Sequence, residues 1–170
     1  LSQGGYYQYQ VGIQAAYRDP LQHILPLIHA DPELARETIR YSAREQSSRL
    51  GFLPYALTEM CKPAAHNTSA DLDLWLLLAA AEYGLATRDL SFFDERIPWT
   101  GGGAASLWRH LRQAHRNQES RRMSRGGYDT GTNGDWSDFS TSLLGMNESI
   151  LVSAQLAYVY PRLAELAWLR

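Results

Sequence analysis

Three features of the sequence predict an all-α fold. The stretch DPELARETIRYSAREQ carries the start signals of a helix, and SADLDLWLLLAAAEYG is apolar around nearly its whole circumference between Leu72 and Tyr83. No segment sustains a period-2 alternation bounded by turns, which is what a half-buried strand requires.

Taken in order, PLQHILPLIHA opens with Pro20 at a first helical position, and Pro26 is expected to kink or end the turn because it offers no N–H and crowds the preceding carbonyl. In DPELARETIRYSAREQ, Asp31 suits an N-cap, Pro32 the first helical position and Glu33 the first turn. Leu34, Thr38 and Tyr41 with Ala35, Ile39 and Ser42 then form one stripe. LGFLPYALTEM reads as a loop with short helical turns. The next segment takes Ser69 as its cap and stops at Gly84, and its all-round apolar surface indicates a helix packed on both sides. TRDLSFFDERIPWTGGG reads as a short helix and a breaker, since Pro98 and three glycines cannot continue one. ASLWRHLRQAHRNQ is helical again, with Leu107, His110, Leu111 and Ala114 on one side. From Glu119 to Gly145 the periodicity fails, and so long a loop in a compact helical chain points to function or disorder. Asn147 can cap the final helix, NESILVSAQLAYVY, with Glu148 at its positively polarised start, and Pro161 begins or kinks a last turn, PRLAELAWLR. Antiparallel helices joined by alternating short and long loops predict hairpins arranged around an axis, as a bundle or a toroid.

Composition removes several function classes. A chain of 170 residues that is 45% hydrophobic and 20% charged can bury a core and is too apolar for disorder. The net charge of -2, with acids and bases well mixed, gives no reason to expect nucleic acid. Cys61 stands alone and His23, His29, His66, His110 and His115 are scattered, so no metal set is indicated and no internal disulfide can form. The longest apolar run, Leu74 to Ala81, falls far short of the roughly 20 residues that cross a bilayer, and LSQGGYYQYQ lacks the parts of a signal peptide. No membrane partner and a cytoplasmic location are therefore expected. The chain starts without methionine and ends within a helical pattern at AELAWLR, so residues 1–170 are expected to be one catalytic-type helical domain within a longer protein.

Two polar clusters interrupt the helical pattern. One is YYQYQVGIQAAYRDPLQ, where Arg18 and Asp19 precede a helix start; the other is GGYDTGTNGDWSDF. Both positions put polar side chains at helix N-termini, where N–H groups and the dipole favour oxygen-rich ligands. Each also has an ordinary reading, a cap with a surface ion pair for the first and an Asx-turn with a folded-in tryptophan for the second. The functional reading is carbohydrate chemistry: apolar sugar faces stack on Trp and Tyr, while hydroxyls pair with Asp, Arg, Gln and Asn. Cleaving a glycosidic bond needs a proton donor to the leaving oxygen, usually a carboxylic acid with a raised pKa. Asp138, between Trp136 and Phe139 and close to Asp135, has that kind of neighbourhood. Asp135 is then a charged neighbour or a ligand to sugar hydroxyls. Tyr128 and Asp129 open the glycine-rich loop and are candidate sugar contacts. His23, His29 and Cys61 read as structural or incidental, and Arg116, Arg121, Arg122 and Arg125 as a solvated loop edge.

At these residues the sequence resembles a known family. YQVGIQAAYRDPLQ, DPELARETIRYSAREQ, DLDLWLLLAAAEYGLATRDLSFFDERIPW, GTNGDWSDF and NESILVSAQLAYVYPRLAELA are similar, in this order, to landmarks of glycoside hydrolase family 94, which holds cellobiose and chitobiose phosphorylases and a domain of cyclic β-1,2-glucan synthases. The resemblance implies an (α/α)6 barrel of six hairpins, about half of them supplied here, with sugar bound at one open end. It implies Asp138, the last Asp of a DWSD motif, as general acid, Trp136 lining the sugar subsite and Arg18 with Asp19 binding the non-reducing sugar. Glu148 matches a position at the following helix start. Departures are Ser137 where the family favours Asn, Ile13 where the disaccharide phosphorylases have an arginine, and SADLD in place of Ser-Asp-Asp-His. The implied reaction is inverting cleavage of an oligosaccharide or glucan by inorganic phosphate or water, with no cofactor beyond phosphate as co-substrate. The rest of the protein, or a second copy in a homo-oligomer, would complete the cavity. The competing expectation is a glycan-binding or scaffold protein that keeps the helical toroid without the chemistry.

Overall fold

The computed structural model of the chain describes residues 13–16, 18–58, 69–130, 134–137 and 144–170, the strands at 13–16 and 56–58 by their backbone only. In order these form β1 (Ile13–Ala16), α1 (Arg18–Ala30), α2 (Pro32–Arg44), β2 (Ala56–Thr58), α3 (Leu72–Thr87), a 3-10 turn (Leu90–Asp94), β3 (Arg96–Pro98), β4 (Ala104–Ser106), α4 (Leu107–Glu119) and α5 (Ile150–Leu169). The all-α class holds. Among the described residues the strands make two short antiparallel pairs, β1 with β2 and β3 with β4.

Helix α3 is the centre, packed against α1, α2, α4 and α5. Its Leu74, Leu76, Leu77, Ala79, Ala80 and Ala81 have no exposed surface, which bears out the reading of a helix packed on both sides. Each buried leucine contributes about 1.5–3 kcal/mol, so this one segment supplies much of the hydrophobic stabilisation. The surrounding helices turn one stripe inward: Leu21, Ile24 and Ile28 from α1, Ala35, Ile39 and Ala43 from α2, Leu107, Leu111 and Ala114 from α4, Val152, Leu156 and Val159 from α5. That spacing is the three-to-four-residue period of amphipathic helices. At the α2 entry Asp31 accepts the Leu34 N–H at 3.1 Å, the cap read from the sequence.

Several local expectations are corrected. LGFLPYALTEM contributes β2 rather than helical turns, paired to β1 with a register shift between Ile13 and Ala15. Pro26 does not end α1 and Pro161 does not begin a new helix: both helices continue through their prolines, which lie on exposed faces where a missing N–H and a displaced carbonyl can be met by water. Helix α3 passes Gly84 and ends at Arg88, whose φ of 59° closes the turn as its N–H bonds the Gly84 carbonyl. Gly84 serves packing instead: a Cβ there would lie 2.7 Å from both Leu166 Cδ1 and Phe93 Cζ. Helix α5 is capped by Ser149, whose Oγ accepts the Val152 N–H at 3.0 Å, not by Asn147.

Long-range polar contacts bring the N-termini of α1, α3 and α5 together with the C-terminus of α4. Arg18 meets Asp71 just before α3, Gln118 Nε2 donates to the Ala70 carbonyl at 2.8 Å, and Asn117 Nδ2 donates to Asp73 at 2.9 Å. Three positively polarised helix ends at one place account for the carboxylates gathered there, Asp19, Asp71, Asp73 and Asp135.

Candidate functional site

Arg18, the first residue of α1, is 4% exposed. Its Nη1 lies 3.4 Å from both oxygens of Asp71 and donates to the backbone carbonyl of Asp135 at 3.0 Å. The two polar clusters of the sequence, 117 residues apart, are thus joined by one guanidinium. Asp71 also accepts from Ser69 Oγ at 3.0 Å and Trp75 Nε1 at 3.1 Å. Burial pushes the Asp71 carboxyl above its ordinary range, opposed by the charge of Arg18 and by these donors.

The Gly134 carbonyl accepts the Ala70 N–H at 2.9 Å and Ser69 Oγ at 3.2 Å. A φ of 73° at Gly134, open to glycine without steric cost, turns the chain into this contact. Asp135 then points inward, 3% exposed, with Oδ1 accepting from Ser137 N at 2.9 Å and Ser137 Oγ at 2.7 Å, and Oδ2 accepting from Ser149 Oγ. Burial alone would raise its pKa, but the Ser149 and Ser137 hydrogen bonds outweigh that and hold it below the usual carboxylate range. Trp136 turns the other way, 55% exposed, with Nε1 donating to Gln22 of α1 at 3.2 Å. Asp138, two residues further, lies outside the described residues.

Tyr128 and Glu148 sit on a neighbouring antiparallel contact, where Ser149 N donates to the Tyr128 carbonyl at 2.9 Å and Asp129 bridges Glu148. The Tyr128 ring is buried and its hydroxyl shares Glu119 with Tyr160, at 3.0 and 2.6 Å, so it reaches in between α4 and α5. Glu148 pairs with Arg125 at 2.7 Å and lies so close to the backbone of Gly127 that a Cβ there would be 1.6 Å from its Oε1. Asp19 is partly buried on the first turn of α1.

The model of the glycosyl hydrolase 94 superfamily catalytic domain matches residues 5–170. The chain belongs to the glycosyl hydrolase 94 superfamily. It is similar to the N,N'-diacetylchitobiose phosphorylase of Vibrio proteolyticus, 28% identical over an alignment of 161 residues, with 81% of this chain and 20% of that protein covered. It is also similar to the solabiose phosphorylase of Paenibacillus borealis, 27% identical over 157 residues, 89% of this chain and 19% of that protein. A shorter match, 33% over 87 residues and half of this chain, is to the N,N'-diacetylchitobiose phosphorylase of Vibrio furnissii. The chain spans about a fifth of the length of the first two relatives. Its helices are part of the all-α toroid of the glycosyl hydrolase 94 superfamily, the (α/α)6 barrel.

In this superfamily member the structure joins Arg18, Asp135 and Trp136 in one neighbourhood, and seats Tyr128 and Glu148 against other partners. The sequence puts the cap of α3 at Ser69, but the cap position is Asp71, whose side chain makes no capping bond; Asp71 and Asp73 enter the sequence reading only as part of SADLD. Asp73 is buried, accepts from Asn117 Nδ2, and has an Oδ1 without a hydrogen-bond partner among the described residues; burial pushes its pKa to about 7 against the pull of Asn117 and Arg121. The available signal was two acids spaced by one leucine at the mouth of a wholly apolar helix. A carboxylate is costly to bury, so its presence there marks a polar layer.

Proposed function

We propose that the intact protein is a glycoside phosphorylase that cleaves a disaccharide or short oligosaccharide, with Asp138 as general acid. The observation that carries this reading is the 3.0 Å bond from Arg18 to the Asp135 carbonyl, which anchors the start of the DWSD motif while the Trp136 indole is left exposed beside α1. An exposed indole next to a fixed loop suits the apolar face of a sugar ring, and Asp19 on the adjacent first turn suits its hydroxyls. The named activities of the two Vibrio proteins and the Paenibacillus protein support phosphorolysis over hydrolysis.

In the proposed reaction a phosphate oxygen attacks the anomeric carbon from the face opposite the scissile bond. The glycosidic C–O bond breaks, its electron pair goes to the leaving oxygen, and the Asp138 carboxyl gives that oxygen its proton. The products are a sugar 1-phosphate of inverted anomeric configuration and a free sugar, and the Asp138 carboxylate is then reprotonated from solvent. Phosphate is already an anionic nucleophile, so this scheme needs a donor but no second carboxylate as base, unlike inverting hydrolysis. Asp135, closed off by Ser137 and Ser149, shapes the loop in this scheme instead of touching sugar.

The test is an assay of the intact protein on N,N'-diacetylchitobiose and solabiose with and without inorganic phosphate. Sugar 1-phosphate formed only with phosphate, and lost in Asp138→Asn, supports the proposal. Reducing sugar released without phosphate identifies a hydrolase, and sugar binding without any turnover identifies a glycan-binding protein.

A further inference from the structure

The DWSD motif begins on a backbone that is held from beneath by a separate part of the chain. Ala70 N–H and Ser69 Oγ both donate to the Gly134 carbonyl, at 2.9 and 3.2 Å, and Arg18 Nη1 donates to the next carbonyl, that of Asp135. Ser69 and Arg18 are in turn both bonded to the Asp71 carboxylate, which Trp75 Nε1 also reaches. Asp71 is fully buried, Ser69 and Arg18 nearly so. One carboxylate therefore orients both side chains that grip two consecutive carbonyls, three and four positions before Asp138.

We propose that Asp71, acting through Ser69 and Arg18, is a positioning residue for the acid at Asp138. This rests on the reading of Asp138 as proton donor. The physical requirement is that a general acid sit within hydrogen-bond reach of the leaving oxygen, and a displacement of about 1 Å can cost on the order of 100-fold in rate. Buried, mutually bonded donors fix the backbone at Gly134 and Asp135, from which the chain runs on to Asp138; exposed side chains would hold that backbone less firmly. The ion pair also suits Arg18 to act here as a clamp: its charge is compensated by Asp71, and its Nη1 donates to the loop.

The experiment compares the intact wild type with Ser69→Ala and Asp71→Asn on two substrates of the same glycosyl unit, the disaccharide it turns over and the 2,4-dinitrophenyl glycoside. Dinitrophenolate leaves without a proton, so its release is insensitive to the position of the acid. The expected result is a fall in kcat on the disaccharide of about tenfold for Ser69→Ala and about 100-fold for Asp71→Asn, with the dinitrophenyl substrate within about twofold of wild type. Equal losses on both substrates, or none on either, overturn the proposal, because a merely structural defect removes active protein without regard to leaving group. Ser69→Ala is the milder variant and keeps the Ala70 N–H bond should Asp71→Asn fold poorly. If the wild type turns over neither substrate, the enzymatic reading falls separately, and hydrogen exchange decides the clamp: faster exchange at residues 69–71 and 134–137 in Ser69→Ala with α3 unchanged upholds it, and unchanged exchange overturns it.

Discussion

Asp135 and Ser149 are joined by a hydrogen bond from the Ser149 hydroxyl to the Asp135 carboxylate, and the same hydroxyl accepts the Val152 N–H at the start of α5. The DWSD motif and the last helix are thereby coupled through a single oxygen. Ser149→Ala removes the cap, worth about 1 kcal/mol, and leaves the buried carboxylate short of a donor, worth about 1–3 kcal/mol. Denaturant unfolding is expected to show a loss in the range of these two effects together.

The pH dependence of that bond has a definite sign. Asp135 has a folded pKa below its unfolded value of about 3.9, so the stability it contributes is present above that value and is lost as pH falls through the lower folded pKa. Wild type and Asp135→Asn should differ in Tm at pH 7 and converge as acid is added below about pH 4. A difference that stays constant into acid contradicts the assignment.

Asp73 runs the other way. Its folded pKa of about 7 lies above the unfolded value, so folding favours the protonated form and stability falls as pH rises from about 4 to 7. Asp73→Asn keeps an acceptor for Asn117 without the charge, and is expected to stabilise the protein by roughly 4 kcal/mol above pH 7 and by little below pH 4. Chemical denaturation at both ends of that range checks it.

Arg18 and Asp71 form a buried pair, and breaking it from one side strands a charge. Arg18→Met is expected to cost about 3–5 kcal/mol, and Arg18→Met with Asp71→Leu to cost less than Arg18→Met alone. Unfolding of the two variants against wild type gives the comparison.

Gly84→Ala separates propensity from packing. In an exposed helix the change would gain about 1 kcal/mol, but here the added methyl meets Phe93 and Leu166 at 2.7 Å. Overpacking costs about 1–3 kcal/mol, so a lower Tm is expected.

What the sequence disclosed follows from the range of each interaction. Asp31, Pro32 and the stripe of α2 are legible because caps and periodicity act within one or two turns, and the burial of α3 is legible because its leucines leave no polar face. Gly84 reads as a stop because a glycine needed for contact with Phe93 looks the same in one dimension as a glycine that ends a helix. Asn147 and Ser149 are both good caps two residues apart, and the choice falls to Ser149 because its hydroxyl also meets Asp135. The strands are three or four residues long, too short to show a period. The union of Arg18 with Asp135 is a tertiary contact with no local trace, and only the order of motifs shared with a known family suggested that the two belong together.

Because the chain is pinned at Gly134 and Asp135 and again at Ser149, the stretch between them has both ends fixed on the helical scaffold. Each doubling of such a span costs only about 0.6 kcal/mol in closure entropy. An insertion on the Ser149 side of that span is therefore expected to cost little stability, while the grip on the motif's first residue stays as it is.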